Sequence, residues 1–336
     1  MSKPRVAFFD TKPYDREYFD RAAAGRVEVN YFKFALKTEV AAVVADAFAV
    51  CAFVHDQLDR DCLQTLRDRG VRMVALRCAG FNAVDLDAAR EFGITVTRVP
   101  AYSPAAVAEH AVAMLLTLVR STHRAYNRIR DHNFSLAGLV GFDLAGKTVG
   151  IIGCGKIGRK AAQIFRGFET RVLAYDPYAD AEWAARHEVQ LTDLETIWRE
   201  CDIISLHVPL FPETEYLVRA ETIARMKPGV IVINTSRGKL VKTGDLLDGM
   251  RSGRIGGVCL DVYEEEDDYF YADHSGTILD DETLALLLTF PNVLVTSHQA
   301  FLTREALVQI AETTVDNILA AADELPLLPG TALVEF

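Results

Sequence analysis

Short apolar runs alternate with amphipathic stretches over the first hundred residues of the chain. Five runs rich in β-branched and aromatic residues are typical of strands: RVAFFD, VEVNYF, AVCAFV, RMVALR and ITVTRV. Between them, LDRDCLQTLRDRG and DLDAAREFG begin with acidic residues and end at Gly70 and Gly93, as capped helices do. The alternation predicts parallel strands that are joined by crossover helices.

A long helix and a second alternating region follow Pro100. The helical pattern runs from Ser103 to Ile129, with Ser103 as a candidate N-cap and Pro104 at the first helical position. From Lys147 onward, nearly continuous apolar runs predict a parallel sheet that is buried on both faces: TVGIIG, RVLAYD, DIISLHVP, VIVINTSR, GGVCLDV and NVLVTSH. A last amphipathic helix is predicted over TREALVQIAETTVDNILAAADE.

The most specific motif lies in the middle of the chain. Gly153, Gly155 and Gly158 follow an apolar strand, have the G-x-G-x-x-G spacing and open a helical pattern. In dinucleotide-binding folds the first glycine permits a tight turn and the second lets the backbone approach a pyrophosphate. The third lets the helix pack on its strand. The helix N-terminus would also turn its unpaired N–H groups and positive dipole end toward the phosphates.

An acidic residue completes this nucleotide-binding pattern. Asp176 closes the next predicted strand, at the spacing of a carboxylate that accepts hydrogen bonds from the adenosine ribose. Its negative charge would repel a 2′-phosphate, so the predicted cofactor is NAD rather than NADP. A strand, a glycine turn, a helix and an acid-terminated strand together predict a nucleotide site.

The position of this motif indicates that one domain is inserted into another. At 336 residues the chain is long enough for two domains. Residues 1–101 and 300–336 are predicted to form the substrate-binding domain, and residues 102–299 the NAD-binding domain. Crossing points near Pro100 and Ala300 would act as hinges. The predicted fold class is therefore α/β, with two Rossmann-like or flavodoxin-like lobes and the substrate in the cleft, beyond the carboxyl ends of the strands.

The composition limits the kinds of molecule that the chain is expected to bind. The net charge of −11 argues against binding to nucleic acid or to an anionic membrane, and it is compatible with an acidic cytosolic enzyme. No apolar run is long enough for a membrane span or a signal peptide, so a cytoplasmic location is expected. The six cysteines form no CxxC pair and are interpreted as buried thiols, and no metal site is predicted. Cys154 lies inside the glycine turn, where an inert small residue is the favoured interpretation.

Three strand-end residues in the second half form a candidate catalytic group. Arg237 closes VIVINTSR, Glu266 follows GGVCLDVYEEE, and His298 closes NVLVTSH. Hydride addition to a carbonyl carbon builds negative charge on the oxygen, which requires a proton donor and a fixed positive charge. An arginine fork suits a planar α-keto acid better than a lysine does. The alternatives are a surface arginine, a structural histidine and an ordinary member of an acidic run.

The chain resembles the D-isomer-specific 2-hydroxyacid dehydrogenases, and most closely their D-lactate dehydrogenase branch. Eight segments spread over nearly the full length carry the resemblance: RCAGFNAVDLDAA, VPAYSPAAVAEHA, GKTVGIIGCGKIG, LAYDP, HVPL, INTSRGKLV, CLDVYEEE and NVLVTSHQAF. The resemblance implies NAD-dependent interconversion of a 2-keto acid and its D-2-hydroxy acid. It also implies the inserted-domain layout and, commonly, a homodimer.

The same resemblance implies roles for individual residues. Arg237 matches the arginine that polarises the keto group and pairs with the substrate carboxylate, His298 the general acid/base, and Glu266 its partner. The family's D-V-[YF]-x-x-E spacing selects Glu266 over Glu264 and Glu265. Glu266 would favour the protonated imidazole for reduction, and neutral His298 would act as the base in oxidation. Further cofactor-binding candidates are Lys156, Ile157, His207, Val208, Pro209, Thr235, Ser236 and Asp261.

Substrate-binding candidates come from both predicted domains: Cys78, Ala79, Gly80, Tyr102, Arg237, His298 and Phe301. In the family, the backbone N–H groups of the loop 78–80 bind the substrate carboxylate, and Tyr102 matches the branch's tyrosine that donates to it. A hinge aromatic is the alternative for Tyr102. Phe301 and Phe53 are candidates for an apolar wall, although ordinary core packing is the commoner role of phenylalanine. For His207, packing is favoured over a direct role.

The predicted function is reversible hydride transfer between NADH and pyruvate, giving D-lactate. One alternative keeps the fold and changes the substrate to a bulkier 2-keto acid, such as 2-ketoisocaproate or phenylpyruvate. Another is a non-catalytic NAD(H)-sensing protein like the transcriptional corepressors that share this fold. The acidic net charge and Tyr102 argue against that last alternative.

Overall fold

Alternating strands and helices build two separate, mainly parallel β-sheets. The computed structural model describes residues 3–266 and 269–336. The chain divides into two units, Met1–Ser103 with Leu302–Phe336, and Pro104–Phe301. Each unit combines one sheet with flanking helices, which confirms the α/β class predicted from the alternation.

The first unit contains a six-stranded sheet in the order β13-β5-β4-β3-β1-β2. Its strands are β1 Arg5–Phe8, β2 Glu28–Tyr31, β3 Ala49–Ala52, β4 Met73–Leu76, β5 Thr95–Thr97 and β13 Ala332–Val334. Its helices are α1 Pro13–Ala23, α2 Arg60–Asp68, α3 Leu86–Phe92 and α12 Arg304–Ala322. The predicted caps of α2 and α3 are present, since the Asp59 and Asp85 carboxylates accept from the backbone N–H groups of Cys62 and Ala88.

The strand β13 is absent from the pattern-based prediction. It has three residues and pairs antiparallel with β5, whereas the other neighbours in this sheet are parallel. A run this short has no periodicity of its own, because pairing with β5 decides its conformation. The first sheet is therefore mixed at one edge.

The second unit contains a seven-stranded parallel sheet in the order β12-β11-β10-β9-β6-β7-β8. Its strands are β6 Thr148–Ile152, β7 Arg171–Tyr175, β8 Val189–Leu191, β9 Ile203–Leu206, β10 Val230–Asn234, β11 Ile255–Leu260 and β12 Val293–Val295. Its helices are α4 Pro104–Arg120, α5 Thr122–Arg130, α6 Lys156–Gly167, α7 Ala181–Arg186, α8 Leu194–Glu200, α9 Ala220–Ile223, α10 Thr243–Arg251 and α11 Glu282–Leu287. None of the helices in the described part of the chain is both long and apolar enough to cross a membrane.

Two apolar layers bury the faces of this second sheet. On one face, Leu115 of α4 and Phe165 of α6 pack with Val149 of β6. On the other face, a separate cluster contains Trp198 of α8 and Leu246 of α10. The strand order reverses at β6, which lies between β7 and β9, and in open α/β sheets the crevice at such a point receives the ligand.

The long helix predicted from Ser103 to Ile129 is wrong in one respect. Ser121 has φ +49°, in the left-handed region, and separates α4 from α5. Leu118 and Val119 still face the core of the second unit, whereas α5 buries none of its side chains. The break could not be predicted, because one residue in the left-handed conformation does not change the spacing of polar and apolar residues along the sequence.

Candidate active site

The glycine turn after β6 is closed on one side and open on the other. Gly153 has φ +98°, and a Cβ atom there would lie 2.5 Å from the His207 carbonyl oxygen. A Cβ on Gly158 would overlap the Gly153 carbonyl oxygen, so both positions require glycine. At Gly155, the N-cap of α6, an added Cβ would meet no atom within 4 Å. This open side provides the space that a pyrophosphate needs to approach the backbone.

Asp176 lies at the end of β7 and supports the glycine turn. Its carboxylate accepts from the Cys154 backbone N–H at 2.7 Å and from the Tyr178 N–H at 2.8 Å. A carboxylate has about four lone-pair sites, so acceptor capacity remains for ribose hydroxyls. Burial raises the pKa of the Cys154 thiol to about 11, which keeps it neutral and agrees with an inert residue in the turn.

Two buried polar atoms, in the residues that directly follow β9 and β10, lack partners within the described part of the protein. Neither Thr235 Oγ1 nor His207 Nδ1 has a hydrogen-bond partner within residues 3–266 and 269–336. The other ring nitrogen of His207 contacts Ser205 Oγ at 2.9 Å, and burial lowers the pKa of this imidazole to about 4. Buried polar groups are normally paired, so these atoms indicate a polar ligand. Together with the open side at Gly155, they fit NAD.

The remaining cofactor candidates lie around this edge of the sheet. Lys156 is exposed and Ile157 packs partly against the core. Val208 is half-buried and Pro209 is exposed directly after the β9 end. Ser236 Oγ donates to the Leu206 carbonyl at 2.8 Å, which ties the end of β10 to that of β9.

His298 and Glu266 form a close pair after the neighbouring strands β12 and β11. His298 Nδ1 lies 2.7 Å from Glu266 Oε1, and Glu266 Oε2 accepts from the Tyr263 backbone N–H at 2.8 Å. Glu264 instead accepts from the Tyr216 hydroxyl and the Thr243 N–H. Of the three consecutive glutamates, the structure thus brings Glu266 to the imidazole.

Asp261 anchors the loop that carries His298. The Asp261 backbone carbonyl accepts from the His298 N–H at 2.7 Å. Its fully buried carboxylate has four further neighbours within hydrogen-bond distance: Thr296 Oγ1, the Gln299 and Ala300 N–H groups, and His110 Nε2. Burial opposes ionisation of this carboxyl, but the hydrogen bonds outweigh it and hold its pKa below the usual range. Asp261, a candidate for cofactor binding, therefore also has a structural role.

Arg237 follows β10 in a loop that an internal amide shapes. The fully buried Asn234 donates from Nδ2 to the Arg237 carbonyl at 2.8 Å and accepts from the Ser236 N–H at 3.0 Å. The half-buried guanidinium donates to the Ser236 carbonyl at 2.6 Å. A Cβ on Gly238 would overlap the backbone of Tyr263, so this loop packs against the one that leads to Glu266.

The loop 78–80 belongs to the first unit and is fixed through its carbonyl groups. Arg98 donates to the Ala79 carbonyl at 3.2 Å, and the Cys78 thiol contacts the Gly80 carbonyl at 3.3 Å. Over the described ranges, no protein acceptor is found for the backbone N–H groups of Ala79 and Gly80. Such free N–H groups are suited to an anion.

The aromatic candidates differ in their surroundings. Phe53 is buried, and its ring centroid lies 4.4 Å from the Arg77 guanidinium carbon. This placement favours the core interpretation of Phe53 over an apolar substrate wall. Phe301 is 7% exposed, and Tyr102 is half-buried.

Several residues of the site were missed at the level of the sequence. His110 and Thr296 contact Asp261, Asn234 shapes the Arg237 loop, and Tyr271 contacts His298. A signal existed for His110, a histidine inside the apolar pattern of α4, and for Asn234, an amide at the end of an apolar strand. No signal in the sequence indicated Tyr271, because its contact with His298 depends on the path of a long loop.

Asp176→Asn is expected to weaken the preference for NADH over NADPH by about tenfold or more, since a charge-assisted hydrogen bond is worth about 1.5–3 kcal/mol. Asparagine keeps an acceptor for the Cys154 N–H but removes the charge that repels a 2′-phosphate. The ratio of kcat/KM values for the two cofactors measures the effect. Glu182→Gln, which neutralises an exposed carboxylate of α7, serves as the control, and an unchanged ratio in Asp176→Asn would refute the assignment.

Comparison with known proteins places the chain in a family. Residues 112–300 match the family model of the D-isomer specific 2-hydroxyacid dehydrogenase, NAD binding domain. The 2-hydroxyacid dehydrogenase A of Aspergillus oryzae is 48% identical over 94% of this chain and 91% of its own. The D-lactate dehydrogenase of Escherichia coli is 46% identical over 94% and 95%, respectively.

Solved structures agree with this result. The apo-structure of the D-lactate dehydrogenase from Escherichia coli has a TM-score of 0.89, 44% identity, and coverage of 98% of this chain and 100% of that one. D-lactate dehydrogenase with NAD+ from Lactobacillus jensenii has a TM-score of 0.81 and 30% identity, with the same coverage. The chain is therefore an NAD-dependent oxidoreductase that belongs to the D-isomer specific 2-hydroxyacid dehydrogenase family, in its D-lactate dehydrogenase branch.

Proposed function

We propose that the protein is a D-lactate dehydrogenase, which reduces pyruvate to D-lactate with NADH and catalyses the reverse reaction. The observation that carries the proposal is the His298–Glu266 pair, 2.7 Å apart, after strands of the same sheet that carries the dinucleotide turn. The relatives named D-lactate dehydrogenase support pyruvate as the substrate.

In the proposed mechanism His298 is the general acid in reduction. Glu266 accepts a hydrogen bond from Nδ1 and so leaves Nε2 to hold the proton that the carbonyl oxygen receives. Bound NADH supplies the hydride. In the oxidation direction the neutral imidazole takes the hydroxyl proton.

Arg237 is proposed to stabilise the developing charge. Its guanidinium can donate to the keto oxygen and to the substrate carboxylate. The Asn234 amide fixes the backbone from which this side chain extends. A fixed cation that needs no reorganisation during the reaction is the largest electrostatic aid such a site offers.

Further contacts are proposed for the substrate and the cofactor. The N–H groups of Ala79 and Gly80, in the loop 78–80, would bind the substrate carboxylate, with Tyr102 as an additional donor and Phe301 as an apolar contact. The proposed cofactor contacts are Gly153, Gly155, Lys156, Ile157, Gly158, Asp176, His207, Val208, Pro209, Thr235, Ser236 and Asp261.

A series of 2-keto acids tests the substrate assignment. The value of kcat/KM with NADH is expected to be highest for pyruvate and to fall as the side chain grows, because a pocket discriminates one methylene by about 1–3 kcal/mol. The solved structure of a D-2-hydroxyisocaproate dehydrogenase is 26% identical to the chain in sequence, so 2-ketoisocaproate belongs in the series. The product is resolved by chiral chromatography. A preference for 2-ketoisocaproate or phenylpyruvate, or an L-product, would refute the proposal.

We also propose that the protein forms a homodimer through α5 and the segment that follows it. This stretch exposes large apolar side chains, with Phe134 72%, Leu136 80% and Val140 95% accessible, and α5 has no buried residue. Several large exposed apolar side chains in one stretch are typical of an interface, and resemblance to a family whose members are commonly homodimers favours a second copy as the partner. The double variant Leu136→Asp/Val140→Asp is expected to sediment as a monomer. A wild-type monomer, or a variant that stays dimeric, would contradict the proposal.

A cytoplasmic location is proposed as well. All six cysteines are free and buried, and thiols in this state agree with a reducing compartment.

A further inference from the structure

The catalytic histidine has an unusual backbone conformation. His298 has φ +46°, in the left-handed region that residues other than glycine rarely adopt. Such a conformation persists only where the surroundings impose it, and it is found preferentially at functional sites. The contacts that impose it are therefore part of the arrangement that aims the imidazole.

Asp261 and Glu266 supply two of these contacts. The backbone N–H of His298 donates to the Asp261 carbonyl at 2.7 Å, and the imidazole Nδ1 lies 2.7 Å from Glu266 Oε1. These contacts fix one side of the peptide and one ring nitrogen. Neither contact fixes the His298 carbonyl group or the face of the imidazole ring.

Tyr271 contacts both the His298 carbonyl group and the face of its imidazole ring. Its hydroxyl donates to the His298 carbonyl at 2.8 Å, and its ring stacks on the imidazole with a centroid distance of 6.0 Å and an interplanar angle of 27°. The Tyr271 N–H also donates to Ser297 Oγ at 3.2 Å. Tyr271 itself has φ +66°, so two neighbouring strained residues hold one another.

We propose that Tyr271 is a positioning residue for the acid/base. Its hydroxyl fixes the His298 carbonyl and its ring limits rotation of the imidazole, so that Nε2 keeps one direction while Nδ1 stays on Glu266. This inference rests on the role proposed above for His298. Tyr271 needs no contact with substrate or cofactor to act in this way, so its loss affects the proton-transfer step and leaves cofactor binding intact.

Tyr271→Phe separates the hydroxyl from the ring. This variant is expected to lower kcat by about 3- to 10-fold, the loss that corresponds to one hydrogen bond. The KM for NADH and the melting temperature should stay close to the wild-type values. The solvent deuterium isotope effect on kcat should rise, because a less well-aligned proton transfer becomes more rate-limiting. Tyr271→Ala, which also removes the stacked ring, should lower kcat further. Tyr31→Phe, which removes a hydroxyl that donates to Asp20 in the first unit, is the matched control.

A measurement without turnover decides the inference independently. In histidine-labelled protein, the Nδ1 proton between His298 and Glu266 is expected as a downfield signal that exchanges slowly in the wild type. The signal should broaden or exchange faster in Tyr271→Phe, while Tyr31→Phe leaves it unchanged. An identical signal and an identical kcat in Tyr271→Phe would overturn the positioning role. If the wild type turned over no 2-keto acid, the proposed function would fail, and the signal would still report whether Tyr271 holds the imidazole.

Discussion

Replacing His298 by asparagine is expected to lower kcat for 2-keto acid reduction by about 10²- to 10⁴-fold, the usual contribution of a positioned general acid. Asparagine is the informative substitution because residue 298 has φ +46°, a region that asparagine tolerates better than alanine. The backbone hydrogen bonds to Asp261 and Tyr271 can then persist while the proton donor is lost. Steady-state kinetics with NADH and pyruvate measures the effect.

The control for this experiment is His187→Asn. His187 follows α7, where its ring contacts Gln163, so the substitution makes the same chemical change at the edge of the sheet opposite to β12. Its kcat should match the wild type. If His298→Asn kept more than about one tenth of the wild-type kcat, a general-acid role for His298 would be untenable.

Arg237→Lys is expected to lower kcat/KM for pyruvate by about 10²- to 10³-fold, although the charge is conserved. A lysine ammonium is a compact charge and cannot form the two parallel hydrogen bonds that a guanidinium offers to a planar keto acid. Both kinetic parameters should change, because Arg237 is proposed to bind the ground-state carboxylate and the oxygen of the transition state. His298→Asn, in contrast, should act mainly on kcat.

The binding of NADH separates this effect from a damaged cofactor site. Fluorescence titration of NADH should give nearly equal dissociation constants for the wild type and Arg237→Lys. Arg225→Lys, on an exposed arginine paired with Glu195, is the matched control. A wild-type kcat/KM in Arg237→Lys would exclude the proposed contact with the keto oxygen.

Much of the second unit could be predicted from the sequence because its central strands are buried on both faces. Continuous apolar runs gave β6, β7, β9, β10, β11 and β12, and the functional candidates are the polar residues at their carboxyl ends. At Gly153 and Gly158 a Cβ atom would clash with the backbone, so both positions require glycine. The sequence shows this requirement as the G-x-G-x-x-G spacing. The pairing of His298 with Glu266, rather than with Glu264, followed only from resemblance to a family.

The features that the sequence pattern did not predict are determined by tertiary contacts. Ser121 interrupts a helix without any change in periodicity, and β13 forms because β5 offers it a partner. The network around Asp261 joins residues separated by more than a hundred positions, as in the contact between His110 and Thr296. Tyr271 reaches His298 through a long loop whose path no local signal specifies.

The geometry around one carbonyl group can be observed directly in a crystal structure of the protein with NADH and oxamate, an unreactive analogue of pyruvate. The oxamate oxygen that replaces the keto oxygen is expected at about 2.6–3.2 Å from His298 Nε2, with the Arg237 guanidinium donating to the same oxygen. His298 Nδ1 should remain on Glu266. Oxamate bound with this oxygen turned away from both side chains would contradict the assignment of acid and cation.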